Sequence, residues 1–147
     1  MPSVAVTAAV PGSAPDDVFV AVADFGAYPQ HTDTVREVVV KPVADGTVES
    51  FWKVNFRNGI LAWTERDAVD VSARRIDFEQ VDGDFVLFAG TWAVDPDGDG
   101  STVRFTASFD LGMPSLAPMI DPIAVRTLVD NVRAILSGLL GPSVTFT

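Results

Sequence analysis

The sequence predicts an α+β fold: a seven-stranded antiparallel sheet covered on one face by helices, with a long helix closing the chain. Three observations predict it. Residues 122–140 repeat apolar side chains at helical spacing, so that at about 100° per residue Val125, Leu128, Val129, Val132, Ile135, Leu136, Leu139 and Leu140 share one side. From Thr34 to Leu111 the period changes from helical to two. The period-two runs are joined by short turns such as Asp45-Gly46, Asn58-Gly59 and Asp82-Gly83, the signature of hairpins and hence of antiparallel pairing.

In chain order, Ser3 to Val10 alternates as a strand and Pro11-Gly12 ends it. Ser13 is placed to cap a helix whose first turn carries Pro15, Asp16 and Asp17, with the acids favourably set in the helix dipole. Val18, Phe19, Val22 and Phe25 form its buried stripe, and Gly26 and Pro29 break it near Tyr28. Strands follow over 35–43, 48–56, 60–69, 73–81, 84–94 and 101–111. Asp121 then caps the last helix, Pro122 takes its first position, and Gly141-Pro142 stops it. Opposite the apolar arc lie Arg126, Asp130, Arg133 and Ser137, while Ala124, Asn131 and Gly138 run along one edge of it. A twisted sheet of this size can curl around such a helix and leave a cavity between them.

Composition narrows the function. The chain has 147 residues, most simply one domain over 1–147, and 48% are apolar, enough for a core. Its formal net charge is −10, which repels phosphate backbones and anionic headgroups, so neither nucleic acid nor a membrane surface is an expected partner. Cysteine is absent, removing thiol and disulfide chemistry. With no signal-like start and no apolar run long enough to span a bilayer, the expected location is the cytoplasm.

The candidate chemistry centres on the strand after Asn58-Gly59. Leu61 and Trp63 mark its apolar face, and the same parity carries to Glu65 and Asp67. Two placements stay open. If register holds, both carboxylates point inward beside a tryptophan and burial raises at least one pKa towards neutrality; a bulge after Trp63 would turn both to solvent. Ser50, Trp52 and Val54 share a face on the preceding strand. Ile76 and Phe78 suggest an inner parity that includes Arg74 and Gln80, and Phe88, Gly90 and Trp92 share another face, with Gly90 leaving space for a flat guest. Phe105 lies on the apolar side of the last long strand. His31, the single histidine, is either a base or a loop residue. Asn131 is placed either to hydrogen-bond a ligand or to satisfy a strand end. One histidine and no cysteine argue against zinc, and Asp95, Asp97 and Asp99 start like a calcium loop but reach Thr106 at the twelfth position. Without a P-loop or a dinucleotide glycine motif, no cofactor and no metal are expected.

Several of these stretches together resemble a known family. Val18-x3-Val22-Ala23-Asp24-Phe25 with Tyr28-Pro29, Trp63-Thr64-Glu65, Arg75-Ile76-x-Phe78, Gly83-Asp84-Phe85, Phe88-x-Gly90-x-Trp92 and Phe109-Asp110-Leu111 resemble the helix-grip, START-like proteins of the SRPBCC superfamily, in particular its polyketide cyclase/dehydrase group. The resemblance implies a curved seven-stranded sheet gripping the C-terminal helix, with short helices between the first two strands. It also implies a tunnel that folds a poly-β-ketone delivered by an acyl carrier protein. Tyr28 matches an aromatic at the pocket mouth, Trp63 and Trp92 match wall aromatics, Phe105 holds a commonly aromatic position, and Asn131 matches a pocket asparagine. The sequence departs where such cyclases place an inward arginine four residues after the wall tryptophan. Here that residue is Asp67, and a small polar residue two after the tryptophan is Glu65.

The expected function is therefore cyclisation or dehydration of a hydrophobic polyketide-type substrate by acid–base catalysis. Glu65, Asp67 and Asn131 are the catalytic candidates; Tyr28, His31, Trp52, Trp63, Phe78, Gln80, Phe88, Trp92 and Phe105 are the ligand-binding ones. The alternative is a non-catalytic carrier of a lipid, quinone or polyketide, for which apolar walls suffice. An acyl carrier protein, itself acidic, would need a basic patch, for which Lys41, Lys53, Arg57 and Arg66 are the candidates.

Overall fold

The period-two segments pair into one antiparallel sheet, and the computed structural model, which describes residues 1–147, gives the chain order as follows. Strand β1 (Ser3–Val10) leads to helix α1 (Pro15–Ala23), a 3-10 turn (Phe25–Ala27) and the short helix α2 (Tyr28–His31). Strands β2 (Val35–Ala44), β3 (Thr47–Phe56), β4 (Gly59–Asp70), β5 (Arg75–Gly83), β6 (Leu87–Asp97) and β7 (Gly100–Asp110) follow in hairpin succession. Helix α3 (Ala117–Leu140) crosses the sheet, and a two-residue strand, β8 (Thr145–Phe146), ends the chain. The spatial order is β2-β3-β4-β5-β6-β7-β1-β8. The sheet thus has eight strands rather than seven, because the tail after Gly141 returns to pair with Ala8 and Ala9 of β1. A two-residue strand carries no alternation from which to read it.

Helix α3 begins a turn earlier than Asp121-Pro122 suggests. Leu116 is the N-cap and Pro118 occupies the first turn, so Pro122 lies inside the helix. Proline in an interior position forfeits one backbone bond. The stop is as expected: Gly141 caps the helix at φ 90°. Ala124, Leu128, Val132, Ile135 and Leu136 make the buried stripe, and Val125, Val129, Leu139 and Leu140 flank it half-buried. At α1 the N-cap is Ala14, not Ser13; the Ser13 carbonyl instead accepts a hydrogen bond from the Ser101 hydroxyl at 2.6 Å.

The core lies between α3 and the inner face of the sheet. Val4, Val6, Ala8 and Val10 of β1 face it, as do Ile76 and Phe78 of β5 and Val103, Phe105, Ala107 and Phe109 of β7. From α1 and the turn after it, Val18, Phe19, Val22 and Phe25 close one end. Gly90 does not hold space for a guest. A side chain there would meet the Thr106 carbonyl, the Ala107 Cα and the Phe78 ring, so its absence lets β7 and Phe78 close in. Gly138 plays the same role in α3, where a Cβ would strike the backbone carbonyl of His31. Two of the four basic candidates for a partner patch are compensated, Lys53 by Glu37 at 3.6 Å and Arg66 by Glu49 at 3.0 Å.

Replacing an exposed helical glycine by alanine stabilises a protein by up to about 1 kcal/mol. At Gly138 the sign reverses: overpacking against α2 costs about 1–3 kcal/mol, so Gly138→Ala lowers the urea midpoint. An unchanged or raised midpoint refutes the close contact between α3 and α2.

Candidate functional site

Strand β4 keeps its alternation from Leu61 to Asp67, and the reason lies on its partner. Thr64 pairs with Asp82 but Glu65 pairs with Gln80, so the extra residue, Val81, is absorbed by β5. Trp63, Glu65 and Asp67 therefore share the inner face, and all three are buried, Asp67 fully. Across the β3–β4 hairpin Trp52 stands opposite Trp63 and Ser50 opposite Glu65. The Trp52 and Trp63 indoles lie parallel, with centroids 5.9 Å apart and planes 1° apart.

These side chains form two hydrogen-bonded groups. Trp63 Nε1 donates to Glu65 Oε1 at 2.7 Å, Ser50 Oγ donates to Asp67 Oδ2 at 2.6 Å, and Trp52 Nε1 donates to Ser50 Oγ at 2.7 Å. Asp67 Oδ1 receives no donor from any amide, hydroxyl or indole. Burial is the main reason the Glu65 carboxyl sits well above the usual carboxylate range; its hydrogen bond to Asp67 and the Asp67 charge push the same way, and the Trp63 N–H opposes them. Asp67 is also raised by burial, while hydrogen bonds from Glu65 and Ser50 pull it back. Both carboxyls are thus biased towards the protonated form, Glu65 the more strongly. Ser50 went unrecognised as a member of the site. The signal was available in its inward parity beside Trp52, directly across from the strand bearing the acids.

A cavity of about 50 Å³ opens beside these groups, under α3. Trp52, Trp63, Glu65 and Phe78 line it from β3, β4 and β5, and Phe88, Trp92 and Phe105 from β6 and β7. Asn131, Leu128, Val132 and Ile135 close it from α3. That volume is room for roughly four waters, against about 300–1,000 Å³ for sites enclosing drug-sized ligands. Asn131 spans the gap between helix and sheet, its Nδ2 donating to the Asn55 carbonyl at 2.8 Å.

Four candidates are not brought to the cavity wall: Asp67, which accepts from Ser50, and with it Tyr28, Gln80 and His31. Tyr28 is fully buried behind Trp52 and Trp92, and its hydroxyl donates to the Val22 carbonyl at 2.5 Å. Burial, then the charges of Glu65 and Asp67, hold that phenol well above its ordinary pKa, so it is neutral. Gln80 folds back on the β5–β6 turn, its amide bonding both the carbonyl and the N–H of Phe85. His31 is exposed at the end of α2. Arg74, on the same parity as Ile76, sits in a turn at φ 52° and reaches outward to the Val94 carbonyl and Asp16. No group of acids and histidines is arranged to hold a metal ion. Asp95 pairs with Arg104 and Asp97 accepts from Thr102, which accounts for two acids of the Asp95–Asp99 turn.

Comparison with known proteins bears on the fold and the family. Residues 12–136 match the model of the family described as polyketide cyclase/dehydrase and lipid transport. Among solved structures the chain is similar to TTHA0849 of Thermus thermophilus, with a TM-score of 0.87 at 24% identity over 94% of each chain. It is similar to the Zhui aromatase/cyclase of a Streptomyces species (TM-score 0.82, 18% identity, 95% of this chain and 91% of that one). It is likewise similar to a START superfamily protein of Mycobacterium smegmatis (0.79, 20%, 94% and 96%). The fold is the helix grip of START-like proteins. A search of curated proteins finds no match. No helix is long and apolar enough to cross a membrane.

The raised carboxyl pKa values have a testable consequence for stability. Between the unfolded and folded values the native state binds more protons than the unfolded one, so this contribution to stability falls as pH rises. The loss starts at the ordinary carboxylate pKa and continues up to the folded Glu65 value, with a limiting slope of about 1.4 kcal/mol per pH unit per proton. Glu65→Gln, measured by urea unfolding across that range, flattens the decline relative to the unmodified chain. Parallel pH profiles for the two proteins would contradict the buried, protonated Glu65. In the same site, Trp63→Phe strips Glu65 Oε1 of its donor and costs about 1–3 kcal/mol by thermal or urea unfolding.

Proposed function

Since the chain belongs to the polyketide cyclase/dehydrase and lipid transport family, we propose that it binds a polyketide-type β-hydroxy ketone under α3 and promotes its dehydration, with Glu65 as the proton-transfer group. The observation that carries this reading is the position of Glu65: a buried carboxyl on the wall of an aromatic cavity, bonded by the Trp63 indole, with its pKa raised chiefly by burial. A carboxyl whose pKa is raised by burial is suited to protonating a poor leaving group.

The step balances on a single residue. Glu65 gives its proton to the departing hydroxyl and the C–O bond breaks as water leaves. The carboxylate so formed takes the proton alpha to the carbonyl as the C=C bond forms, which restores Glu65. Asp67 does not line the cavity; it acts as a positioning residue, fixing the Glu65 carboxyl. Ser50 and Trp52 hold Asp67 in turn. No lysine, arginine or histidine lines the cavity, so an enolate there gains no counter-charge. Protonation of the leaving hydroxyl is therefore the favoured entry to the reaction rather than stabilisation of an anion by an arginine, which the site lacks. A substrate of several fused or foldable units exceeds the 50 Å³ available, so binding it widens that space.

The test is the release of water from an aryl β-hydroxy ketone, followed as enone absorbance. Glu65→Gln keeps the shape and the Trp63 hydrogen bond but has no proton to give. It is expected to lower kcat by about 10²–10⁴-fold, the usual worth of general acid–base catalysis, with ligand affinity retained. Turnover preserved in this variant removes the catalytic reading. A protein that binds the ketone but never turns it over would instead be a carrier, the reading that the predominantly hydrophobic lining favours.

A further inference from the structure

Strand β2 is one edge of the sheet. Its only strand neighbour is β3, and residues 36–44 enter no backbone hydrogen bond outside that ladder. The ladder also fixes which backbone groups are left open. The Asn55 N–H donates to the Thr34 carbonyl at 2.8 Å, so the odd-numbered residues of β3 bond towards β2. Glu37, Val39 and Lys41 stand opposite Lys53, Phe51 and Glu49 and take those bonds. By alternation Val38, Val40 and Pro42 turn their backbone polar groups away from the sheet. Val38 and Val40 each present a donor and an acceptor, whereas Pro42 presents an acceptor only. Such an edge is a template for a further strand. Its side chains are apolar as well, Val39 being 51% and Val40 41% exposed.

Charge and Pro42 decide which strand fits. A second β2, laid antiparallel about a two-fold axis at Val39, pairs Val38 with Val40 in both directions, so every N–H these valines present meets a carbonyl. Val39 then meets its own copy, with Phe51 behind it on each side, and Glu37 meets Lys41. On this outer face Glu37 already pairs with Lys53 at 3.6 Å and Glu49 with Arg66 at 3.0 Å, while Lys41 makes no ion pair within its own chain. Joining the edges creates a row of alternating sign: Lys53 and Glu37 of one copy, then Lys41, Glu49 and Arg66 of the other. The two-fold axis makes that row twice. Moving the axis to Val40 sets Val38 against Pro42, which has no N–H to give, and Lys41 against Val39. Moving it to Val38 sets Glu37 against Val39. We propose that β2 is a homodimerisation edge, on which a second copy of this chain pairs antiparallel in the Val39-centred register. The inference is independent of what the cavity binds and of turnover.

Sedimentation equilibrium over a concentration series tests it, with the unmodified chain expected to reach twice its sequence mass. Glu37→Lys and Lys41→Glu, made singly, each set like charges opposite one another at both ends of the pairing. Each is expected to weaken dimerisation by about tenfold or more. Mixed in equal amounts, the two variants regain it as a heterodimer, because every contact is again between opposite charges. A chain that stays monomeric throughout the series, a dimer indifferent to both reversals, or a mixture no better associated than its components overturns the proposal. Because the chain contains no cysteine, Val39→Cys reads the register directly. Across the axis its Cα atoms lie about 4.5 Å apart, within reach of a disulfide, so oxidation yields a covalent dimer on a non-reducing gel. Val71→Cys, in the β4–β5 turn and 70% exposed in the unmodified chain, stays monomeric. Equal cross-linking at the two positions likewise overturns the pairing.

Discussion

Two buried carboxyls on the same face of β4 constrain the inner wall of this protein. Water would solvate both acids; the interior does not, and each must find donors among a few fixed groups. One indole serves Glu65 and one hydroxyl serves Asp67, and these bonds fix the rotamers of Ser50, Trp63, Glu65 and Asp67 across two strands. Packing then follows from that arrangement. The parallel indoles stand where the hydrogen bonds put them, Tyr28 and Phe25 pack edge-on against Trp52, and Phe88 packs edge-on against Trp63.

The location of the bulge is what makes this arrangement available. An extra residue in β4 after Trp63 would have reversed every following side chain and put both acids in solvent. Placed in β5 at Val81, it instead lets the outer end of that strand twist away while β4 runs straight through. Gln80, next to the irregularity, is then recruited by the Phe85 backbone to hold the turn, which is why a residue of inner parity contributes to a loop rather than to the cavity.

Much of the architecture was legible because alternation and turn chemistry are local signals. The limits of β2, β3, β4 and β7, the α3 stripe and the inward sets on β3 and β7 follow from spacing, whereas β5 (Arg75–Gly83) and β6 (Leu87–Asp97) begin two and three residues later than alternation suggests. What was not legible depends on partners distant in the chain. Parity alone left both placements of Glu65 and Asp67 open, because the deciding bulge lies on another strand. Tyr28 reads as an available phenol until the Val22 carbonyl is seen to occupy it. Gly90 reads as open space until Phe78 fills it. The start of α3 was misjudged for a different reason: Pro118 and Pro122 are both plausible first-turn prolines, and nothing local ranks the earlier one higher.

The bond from the Trp63 indole to Glu65 ties a chromophore to the acid it steadies. The electron density of an indole responds to what its N–H is bonded to, and a neutral carboxyl and a carboxylate are different acceptors. Emission and ultraviolet absorption from this ring thereby register the charge beside it, giving the molecule an intrinsic optical indicator of its own acid–base status without any attached dye.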